Sequence, residues 1–518
     1  LIVLNAKIYT VDDDFSMAQA LAIRNGIILA VGSDRDILNR YNSKIRFDAG
    51  RQDVYPGFID AHSHFTGYAV GLQRADLRHT TSFEQVLEVM KKHAETHHTE
   101  WLVGRGWDQN EWPVKEFPSH HQLSAMFPDV PVVLIRVDGH AVIVNEEAMH
   151  RLNINQNTLF PEGEAIYKDG YLAGVFLEHS ADRFKTAIPP LNRQELISAL
   201  SEAQLNCVKA GLSSVADAGL DKEMVLLLDS LQQSGDLDIR IYAMLNPTDE
   251  NMDYFVKNGV YKTDRLSVRS IKLYADGALG SYGARLLEPY SDAPNQFGIW
   301  VHDLPIMQKY CRLALDHGYQ MIIHAIGDAG TRRVIDVYSQ FLPGRNDLRW
   351  RIEHAQVVHP DDFGRFADFS IVSSIQSIHA TSDMRWAGSR LGAERLSNSY
   401  AQQKLLAQNG WLANGTDFPI EEIYPLWTFH AAVFRQDHTG YPEQGFQMQD
   451  ALTREQALRS ITIWAAKAAF EENEKGSLEP GKMADFVMLD RDIMEIPGHE
   501  VLKTNVTGLW IGGKQMLD

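Results

Sequence analysis

The chain has 518 residues, of which 44% are hydrophobic, and a formal net charge of −19. This length allows roughly two to four domains, or one large barrel with additions. Because a phosphate backbone requires a basic face, the negative charge argues against nucleic-acid binding as the main function. The two cysteines, Cys207 and Cys311, exclude a disulfide framework and a cysteine-rich metal site, so any metal would be held by nitrogen and oxygen atoms.

The sequence also bears on location and partners. No window of about 18 apolar residues occurs, so we expect no membrane span. We expect a cytoplasmic protein, and export to the periplasm or the medium stays open because the chain begins at Leu1 rather than at a methionine. We expect a small-molecule substrate, and we consider a homodimer as the assembly.

Strand-like patterns occupy both ends of the chain. LIVLNAKIYTV, ALAIRNGIILAVG and KIRFDAG alternate in the first 55 residues, and the Asn25-Gly26 pair predicts a hairpin turn. ADFVMLD (484–490) and VTGLWIGGKQML (506–517) have the same pattern. Because chain termini often lie close together, we expect residues 1–55 and 476–518 to form one composite β-sandwich domain.

Between these ends, short apolar runs alternate with helical patterns, which favours a parallel α/β architecture. Eight runs are predicted strands: GFIDAH (57–62), LSSVADAG (212–219), IRIYAML (239–245), VRSIKLYADG (268–277), YQMIIHAIGD (319–328), WRIEHAQ (350–356), SIVSSIQ (370–376) and GWLANGTD (410–417). Eight strand–helix units are typical of a (β/α)8 TIM barrel, and an open doubly wound sheet is the alternative. We therefore expect a TIM-barrel domain over residues 56–475.

The spacing between the first two predicted strands is far longer than a βα loop of a few residues. We therefore expect a large insertion after barrel strand 1, which folds as a cap at about 68–200 and covers one barrel mouth. The segment contains RVDGHAVIVN (136–145) and a strand–turn–strand pattern in GEAIYKDGYLAGVFLE (163–178).

Residues with metal-binding or catalytic chemistry stand at the same end of five predicted strands. They are His62, His64, Lys272, His324, His354 and Asp417. Catalytic residues of TIM barrels come from the C-terminal ends of the strands, so these side chains are expected to converge on one rim. A single histidine at a strand end is more often structural, but the whole set indicates a metal site.

The spacing of the histidines supports this prediction. Strand side chains alternate between faces, so His62 and His64 point the same way and can reach one ion. His324 and His354 come from adjacent strands and can share a second ion. Imidazole with carboxylate suits Zn, Fe or Mn, and we expect one or two divalent ions per chain, with zinc as the first choice.

Lys272 requires a separate explanation, because an ammonium group offers only hydrogen-bond donors and cannot bind a metal. Desolvation and nearby cations would lower its pKa. The neutral amine can then capture carbon dioxide and become a carbamate, which is a bridging carboxylate. The alternative is a salt bridge from Lys272 to Asp276 or Asp417.

This set of residues resembles the amidohydrolase superfamily, which has an HxH motif after strand one, a lysine on strand four, single histidines on strands five and six, and an aspartate on strand eight. GSLEPGKMADFVMLD (476–490) resembles the closing signature of the superfamily. Further motifs resemble the amidohydrolase-3 branch, which includes N-substituted formamide deformylase: GRGWDQNEW (104–112), RVDGHAVIVN (136–145), SIKLYADGALGS (270–281), IHAIGDAG (323–330), RIEHAQ (351–356), HATSDMRW (379–386) and NGTDFPI (414–420). The resemblance covers essentially the whole chain.

The resemblance implies a role for each residue. The more buried metal would be bound by His62, His64 and Asp417. The second metal would be bound by His324 and His354. Carboxylated Lys272 would bridge the two ions. Some members use one metal or replace the lysine with another ligand, so Glu178 is either an alternative bridging ligand or a surface or strand-end carboxylate.

The expected reaction follows from these roles. A metal lowers the pKa of its bound water toward about 7, which provides hydroxide at neutral pH. Asp417 would accept the proton as the hydroxide attacks a carbonyl, and would then pass it to the leaving amine. We therefore expect a metal-dependent amidohydrolase that cleaves an amide, N-acyl or N-formyl bond. The alternatives are an ester, lactone or organophosphate hydrolase, and a non-catalytic binding protein with the same fold.

Other residues are predicted to contact the substrate. They are Trp107, His140, Arg285, His379 and Asp383. The alternatives are core packing for Trp107, a structural role for His140 and a surface ion pair for Arg285. Asp276 and Asp328 are expected to orient the metal ligands through hydrogen bonds, without binding the metal themselves.

Overall fold

The computed structural model describes residues 1–97, 99–137, 139–160 and 164–517. The chain forms two compact units: the first comprises Leu1–Phe65 and Gln204–Asp518, and the second comprises Thr66–Ala203. Among the described residues, no helix combines the length and the apolar composition that crossing a membrane requires.

The strands of the described residues fall into four sheets. In chain order they are β1 (Ile2–Leu4), β2 (Lys7–Tyr9), β3 (Met17–Ala18), β4 (Ala20–Arg24), β5 (Ile27–Gly32), β6 (Arg46–Asp48), β7 (Asp53–Pro56), β8 (Phe58–Ser63), β9 (Arg74–Asp76), β10 (Leu102–Trp107), β11 (Val132–Arg136), β12 (Ala141–Val144), β13 (Ala165–Lys168), β14 (Tyr171–Leu177), β15 (Leu212–Leu220), β16 (Arg240–Leu245), β17 (Tyr261–Lys262), β18 (Leu266–Tyr274), β19 (Gln320–Ala325), β20 (Arg351–His354), β21 (Val372–Ile375), β22 (Ala413–Asn414), β23 (Phe486–Leu489), β24 (Val506–Ile511) and β25 (Lys514–Leu517).

Helices connect most of these strands. In chain order they are α1 (Asp34–Arg40), α2 (Phe65–Leu72), α3 (Phe83–Thr96), α4 (His121–Met126), α5 (Glu146–Arg151), α6 (Glu178–Ala187), α7 (Arg193–Lys209), α8 (Lys222–Ser234), α9 (Asp249–Tyr254), α10 (Leu304–His317), α11 (Asp328–Tyr338), α12 (Phe363–Asp368), α13 (Ser377–Asp383), α14 (Ala387–Leu396), α15 (Gln402–Asn409), α16 (Pro425–Phe434), α17 (Arg454–Ser460), α18 (Ile463–Ala468) and α19 (Gly498–Val501). Short 3₁₀ helices cover Gln109–Glu111, Val256–Asn258, Pro360–Asp362 and Met448–Asp450.

Eight parallel strands form the barrel of the first unit, in the order β8-β15-β16-β18-β19-β20-β21-β22. Each of the eight predicted runs coincides with one of them. The two end strands meet, since the backbone N–H of Asp417 donates to the carbonyl of His62 and that of His64 donates to the carbonyl of Phe418, both over 2.8 Å. The predicted α/β barrel is therefore confirmed, and the open doubly wound sheet is wrong.

Burial explains why the barrel strands have nearly continuous apolar sequences. Every residue of β8, β16, β20 and β21 is buried. These strands are covered by helices on the outside of the barrel and by side chains on the inside. They therefore lack the alternation of apolar and polar residues that is typical of a strand with one solvent-exposed face. The polar residues in these strands consequently stand out as candidates for a functional site.

The two ends of the chain form two small sheets in the first unit. Their strand orders are β5-β4-β1-β6 and β25-β24-β23-β7-β2-β3, and the antiparallel pair β7–β23 joins the two ends. Side chains from both sheets share one apolar cluster: Val3, Ile8, Leu21, Ile23, Val54, Phe486, Met488 and Trp510 are among its members. Asn25 and Gly26 have φ values of 52° and 78°, as the predicted Asn-Gly hairpin turn requires.

The second unit has its own sheet, with the order β13-β14-β12-β11-β10-β9. Two separate apolar clusters lie against this sheet, one around Leu134 and Ile143 and the other around Val133 and Phe176. Successive residues of a strand face opposite sides, so the sheet is covered on both faces. The function of this unit as a cap over the barrel stays a prediction.

Candidate metal centre and active site

The carboxyl ends of the barrel strands surround a cavity of about 360 Å³ in the first unit. All six residues predicted as metal ligands line it: His62, His64, Lys272, His324, His354 and Asp417. The structure thus brings together residues that are up to 355 positions apart in the sequence (417 − 62). Their roles as ligands stay predictions.

The first group of potential ligands consists of His62, His64 and Asp417. The Nε2 atoms of His62 and His64 lie 3.6 and 3.3 Å from Asp417 Oδ1. His64 Nδ1 lies 3.2 Å from the carbonyl oxygen of Ala218, to which it donates, and this leaves the lone pair on Nε2. His62 Nε2 and Asp417 Oδ1 are buried without a hydrogen-bond partner among the described residues. Converging unsatisfied acceptors of this kind fit a bound cation.

His324 and His354, the residues predicted to bind a second ion, lie beside the first group. The rings of His324 and His354 are 4.5 Å apart, as expected for histidines from adjacent strands. His354 Nδ1 lies 2.6 Å from Gln376 Oε1 and donates to it, so the lone pair is on Nε2. His324 Nε2 lies 3.7 Å from Asp276 Oδ1. Burial lowers the pKa of His324 to about 3, which keeps the ring neutral and able to bind a metal.

His379 also lies within reach of this group, because its Nε2 is 3.6 Å from Asp417 Oδ2. The amide nitrogen of Gln356 donates to His379 Nδ1 over 3.0 Å. A neutral imidazole that accepts at Nδ1 has its proton on Nε2. His379 therefore offers a hydrogen-bond donor to the cavity rather than a lone pair to a metal.

Lys272 is buried, with 1% of its surface exposed. Burial lowers the pKa of its amine to about 8, although the carboxylates of Glu353 and Asp417 raise it. Lys272 forms no ion pair with Asp276, Asp417 or any other residue in the described part of the chain. The salt bridge left open by the sequence is thus absent, and a fraction of the amine is neutral at physiological pH.

The sequence did not lead to a prediction for Glu353, a carboxylate that orients the His62 ring through a hydrogen bond. Glu353 is fully buried and accepts a hydrogen bond from His62 Nδ1. Arg351 Nε donates to its Oε1 over 2.7 Å, and the Ser374 hydroxyl donates to its Oε2 over 2.7 Å. Burial raises the pKa of Glu353, but Arg351 and His62 outweigh it and hold the pKa well below its usual range. The ionised carboxylate fixes the proton on Nδ1 and leaves Nε2 free for a metal.

The NGTD sequence explains how strand β22 reaches strand β8. Asp60 accepts hydrogen bonds from the backbone N–H groups of His62 and Thr416, at 3.1 and 3.0 Å. A Cβ atom at Gly415 would lie 2.5 Å from both Asp60 Oδ1 and the His62 nitrogen. Only glycine fits this approach, which brings Asp417 next to His62.

Two of the predicted substrate contacts line the cavity, namely His379 and Asp383. Asp383 Oδ2 accepts a hydrogen bond of 2.8 Å from the Tyr400 hydroxyl. Burial raises the pKa of Asp383 to about 6. The remaining wall is largely apolar and includes Ala278, Leu279, Ile326, Trp386 and Ile420.

Arg285 is not among the residues lining this cavity. Its Nη1 donates to the carbonyl of Gly298 over 3.0 Å, and its backbone N–H donates to Asp276 over 2.8 Å. Asp276 also accepts from two backbone N–H groups after β19, those of Ile326 and Gly327. Asp276 thus holds the loops beside His324. Within the described residues, the hydrogen bonds that Asp328 accepts come from backbone N–H groups, those of Leu287 and Ala329.

The other predicted residues belong to the second unit. Trp107 is fully buried in an apolar cluster, and its Nε1 donates to the carbonyl of Leu134 over 2.8 Å, which fits the core-packing alternative. His140 and Glu178 are exposed and contact each other, with 3.1 Å between Nδ1 and Oε2. Their predicted roles at substrate and metal stay predictions. Asp138, in the RVDGHAVIVN motif, lies outside the described residues.

Comparisons with known proteins connect this geometry to a family. Protein LONG AFTER FAR-RED 3 of Arabidopsis thaliana is 30% identical over 541 residues, which cover 100% of this chain and 91% of that protein. N-substituted formamide deformylase of Arthrobacter pascens is 25% identical, with 99% of this chain and 97% of the enzyme covered. The crystal structure of an uncharacterized metal-dependent hydrolase from Pyrococcus horikoshii OT3 matches with a TM-score of 0.80 and 27% identity, over 96% of this chain and 98% of the other.

The family model described as the amidohydrolase family matches residues 47–517, nearly the whole chain. The relatives and the matched structure agree with that assignment over the same length. The chain therefore belongs to the amidohydrolase family, in the amidohydrolase-3 branch that its motifs predicted.

Proposed function

We propose that this protein hydrolyses an amide-type C–N bond of a small molecule, with the aid of a divalent metal. The observation that carries the proposal is the buried Asp417 carboxylate, whose Oδ1 has no hydrogen-bond partner among the described residues and faces the Nε2 atoms of His62 and His64. Membership in the amidohydrolase family supports the reaction class. The formamide deformylase among its relatives supports an N-formyl or other N-acyl substrate.

We infer that zinc is the metal, in one or two ions. His62, His64 and Asp417 would hold one ion, and His324 and His354 would hold a second. A bound divalent cation supplies a water of lowered pKa and polarises the substrate carbonyl. Nitrogen and carboxylate donors in a buried site are the donor set that zinc prefers in hydrolases.

Asp417 has the position and charge for the proton transfers. Burial raises its pKa, but its contacts with His64, His62 and His379 outweigh this effect and hold the pKa at about 2. The carboxylate is therefore ionised, and the part of it that faces the cavity can accept a proton. It can then return this proton to the leaving nitrogen, because the two transfers follow each other.

His379 and Lys272 complete the proposed roles. The Nε2–H of His379 is available to donate to the carbonyl oxygen as negative charge develops there. The neutral form of Lys272 can take up carbon dioxide: its nitrogen forms a bond to the carbon, one proton leaves, and a carbamate remains. This carbamate would bridge the two ions.

A substrate panel with controlled metal content tests the proposed function. The protein is treated with a chelator, divided, and supplied with zinc or left without it, and each sample is assayed on N-formyl amines, N-acyl amines, esters, lactones and phosphotriesters. We expect activity only with zinc, and the highest kcat/KM on an amide-type substrate. Activity in the metal-free sample, or a clear preference for esters or phosphotriesters, would contradict the proposal.

A further inference from the structure

The second unit contains a cavity of about 590 Å³ that none of the proposed chemistry uses. We call it the arginine cavity, because Arg74 and Arg105 both line it. Its volume is within the range of about 300–1,000 Å³ that small-molecule sites occupy. All of its lining residues belong to the second unit, from Val70 to Glu195.

Strand pairing places the two arginines on one face of the sheet. Arg74 of β9 is paired with Val103 of the parallel strand β10. Arg105 follows Val103 by two positions, and side chains two positions apart share a face. The two guanidinium groups therefore project toward the same space from neighbouring strands.

Neither arginine forms an ion pair with the described residues, although Asp76 is paired in register with Arg105. In the described part of the chain, Arg74 and Arg105 have no ion pair and no hydrogen bond from their guanidinium groups. Arg74 is half-buried, and burial together with the charge of Arg105 lowers its pKa. Arg105 is exposed, so water solvates its guanidinium group when no ligand is bound, and an anionic ligand could contact both guanidinium groups in place of that water.

The other charged residues of the cavity already have partners. Lys185 donates to the carbonyl of Gly139 and pairs with Asp182, both at 2.7 Å. Glu195 accepts a hydrogen bond of 2.7 Å from the backbone N–H of Asn192. Glu100 lies 3.9 Å from a guanidinium nitrogen of Arg151. The unsatisfied charge of the cavity is thus positive and located at the arginine pair.

Part of the remaining wall is suited to an apolar group. It includes Val70, Trp101, Val103, Ile135, Ile188, Pro189, Pro190 and Leu191. A planar guanidinium matches the two oxygens of a carboxylate better than it matches a neutral group. A free inorganic anion would leave this apolar surface without a partner.

We propose that the arginine cavity binds a small organic carboxylate, whose oxygens contact Arg74 and Arg105 and whose apolar body packs on Trp101 and Ile188. The proposal does not depend on the hydrolase reaction, since it concerns only residues of the second unit. It adds a ligand site to the inserted segment of the chain.

Titration calorimetry at low ionic strength tests it, with the full-length chain and three probes: hexanoate, 1-hexanol and inorganic phosphate. We expect one hexanoate site that Arg74→Gln and Arg105→Gln each weaken by about tenfold or more, because a charged hydrogen-bonded pair is lost. Arg183→Gln is the matched control, since Arg183 is an exposed arginine of the same unit and does not line the cavity. Its hexanoate affinity should equal that of the wild type.

Three results would overturn the proposal. Hexanoate binding that survives both cavity substitutions would place the ligand elsewhere, including the metal centre. Hexanol binding as tight as hexanoate binding would remove the role of the arginines. Phosphate binding that requires both arginines, without hexanoate binding, would assign the cavity to inorganic anions. Because Arg105 is exposed, Arg105→Gln should fold normally, and thermal unfolding of each variant checks this.

Discussion

Among the single residues of the proposed metal centre, His62 is held by a chain of buried hydrogen bonds. Its Nδ1 donates to Glu353, which is itself held by Arg351 and Ser374. Such a carboxylate behind a histidine fixes the ring orientation and makes the imidazole a better ligand. Removing the charge of Glu353 should therefore weaken metal binding without changing any ligand.

We expect Glu353→Gln to lower metal affinity by about 10–100-fold, the usual effect of losing such a partner. The measurement is a competition titration against a chromophoric chelator. Glu472→Gln is a suitable control, because Glu472 pairs with Arg349 and is not among the residues lining the cavity. Equal metal affinity in Glu353→Gln and the wild type would remove Glu353 from this role.

His379 should behave as a donor to the substrate and not as a metal ligand. Its Nδ1 accepts from Gln356, which leaves the proton on Nε2. We expect His379→Asn to retain the full metal content while kcat falls by about 10²–10³-fold, as for the loss of one oxyanion donor. Metal analysis and steady-state kinetics on the same preparation check this, and loss of one metal equivalent would instead make His379 a ligand.

The sequence could predict the histidines, Lys272 and Asp417, because all of them follow barrel strands at the same end. It could have indicated Glu353 as well, since Arg351 and Glu353 are two positions apart on one strand, the same spacing as His62 and His64. The orientation of His354 was not predictable. His354 follows Glu353 directly, so in a regular strand the two side chains would face opposite sides. His354 has a φ of 73°, which breaks this alternation, and both residues therefore serve the same site.

At the level of elements, the contact between the ends of β8 and β22 closes the barrel next to the site. Strand β22 covers only Ala413–Asn414, although the sequence predicted a strand over 410–417. Gly415 and the left-handed Asp417, with a φ of 65°, end the strand early and turn the chain toward β8. Turns of this kind depend on contacts with distant residues, which an apolar pattern does not reveal.

We expect Gly415→Ala to lower the free energy of unfolding by about 1–3 kcal/mol, as overpacking in a core does, and to reduce metal binding. The added methyl would meet Asp60 and the backbone of His62, so the two strands must move apart. Gly364→Ala is the control, because a Cβ there meets no atom within 4 Å. Denaturant unfolding of both variants measures the difference, and equal stabilities would contradict this account of the closure.

For the molecule as a whole, a buried ion pair ties the barrel to the sheets built from the chain ends. Arg240 of β16 donates to Asp485 through Nε and Nη2, at 2.7 and 3.0 Å, and the backbone N–H of Gly512 donates to the same carboxylate. Burial raises the pKa of Asp485, but Arg240 outweighs it and holds the pKa below its usual value. Folding thus favours the ionised carboxylate.

We expect Asp485→Asn to lower the free energy of unfolding by about 3–5 kcal/mol at pH 7, because it leaves a buried arginine unpaired. The pKa of Asp485 is lower in the folded state, so its contribution is fully present above the unfolded pKa of about 3.9 and is lost as pH falls through the folded pKa. The difference between wild type and variant should therefore shrink below about pH 4. Urea unfolding at pH 7, 4, 3 and 2.5 measures it.

A control for this pH dependence is Asp253→Asn, because Asp253 forms an exposed pair with Lys257. Its urea midpoint should stay close to that of the wild type at each pH. A difference between Asp485→Asn and the wild type that is independent of pH would show that the carboxylate charge is not responsible.

The barrel and the composite terminal sheets were accessible from the sequence because buried parallel strands and paired termini produce strong local patterns. The substrate was not accessible, since specificity depends on how segments such as the loop 276–286 and the α13 region 377–386 shape the cavity wall. Those segments are held by distant contacts, for example that of Asp276 with the backbone after β19.

The most direct test of the proposed mechanism compares wild type and Asp417→Asn, with zinc content determined on each sample, in the hydrolysis of an N-formyl amine. We predict that the variant retains bound zinc but loses about 10²–10⁴-fold in kcat, because general acid–base catalysis contributes that much. A zinc-loaded Asp417→Asn protein that turns over as fast as the wild type would contradict the assignment of Asp417 as the proton-transferring residue.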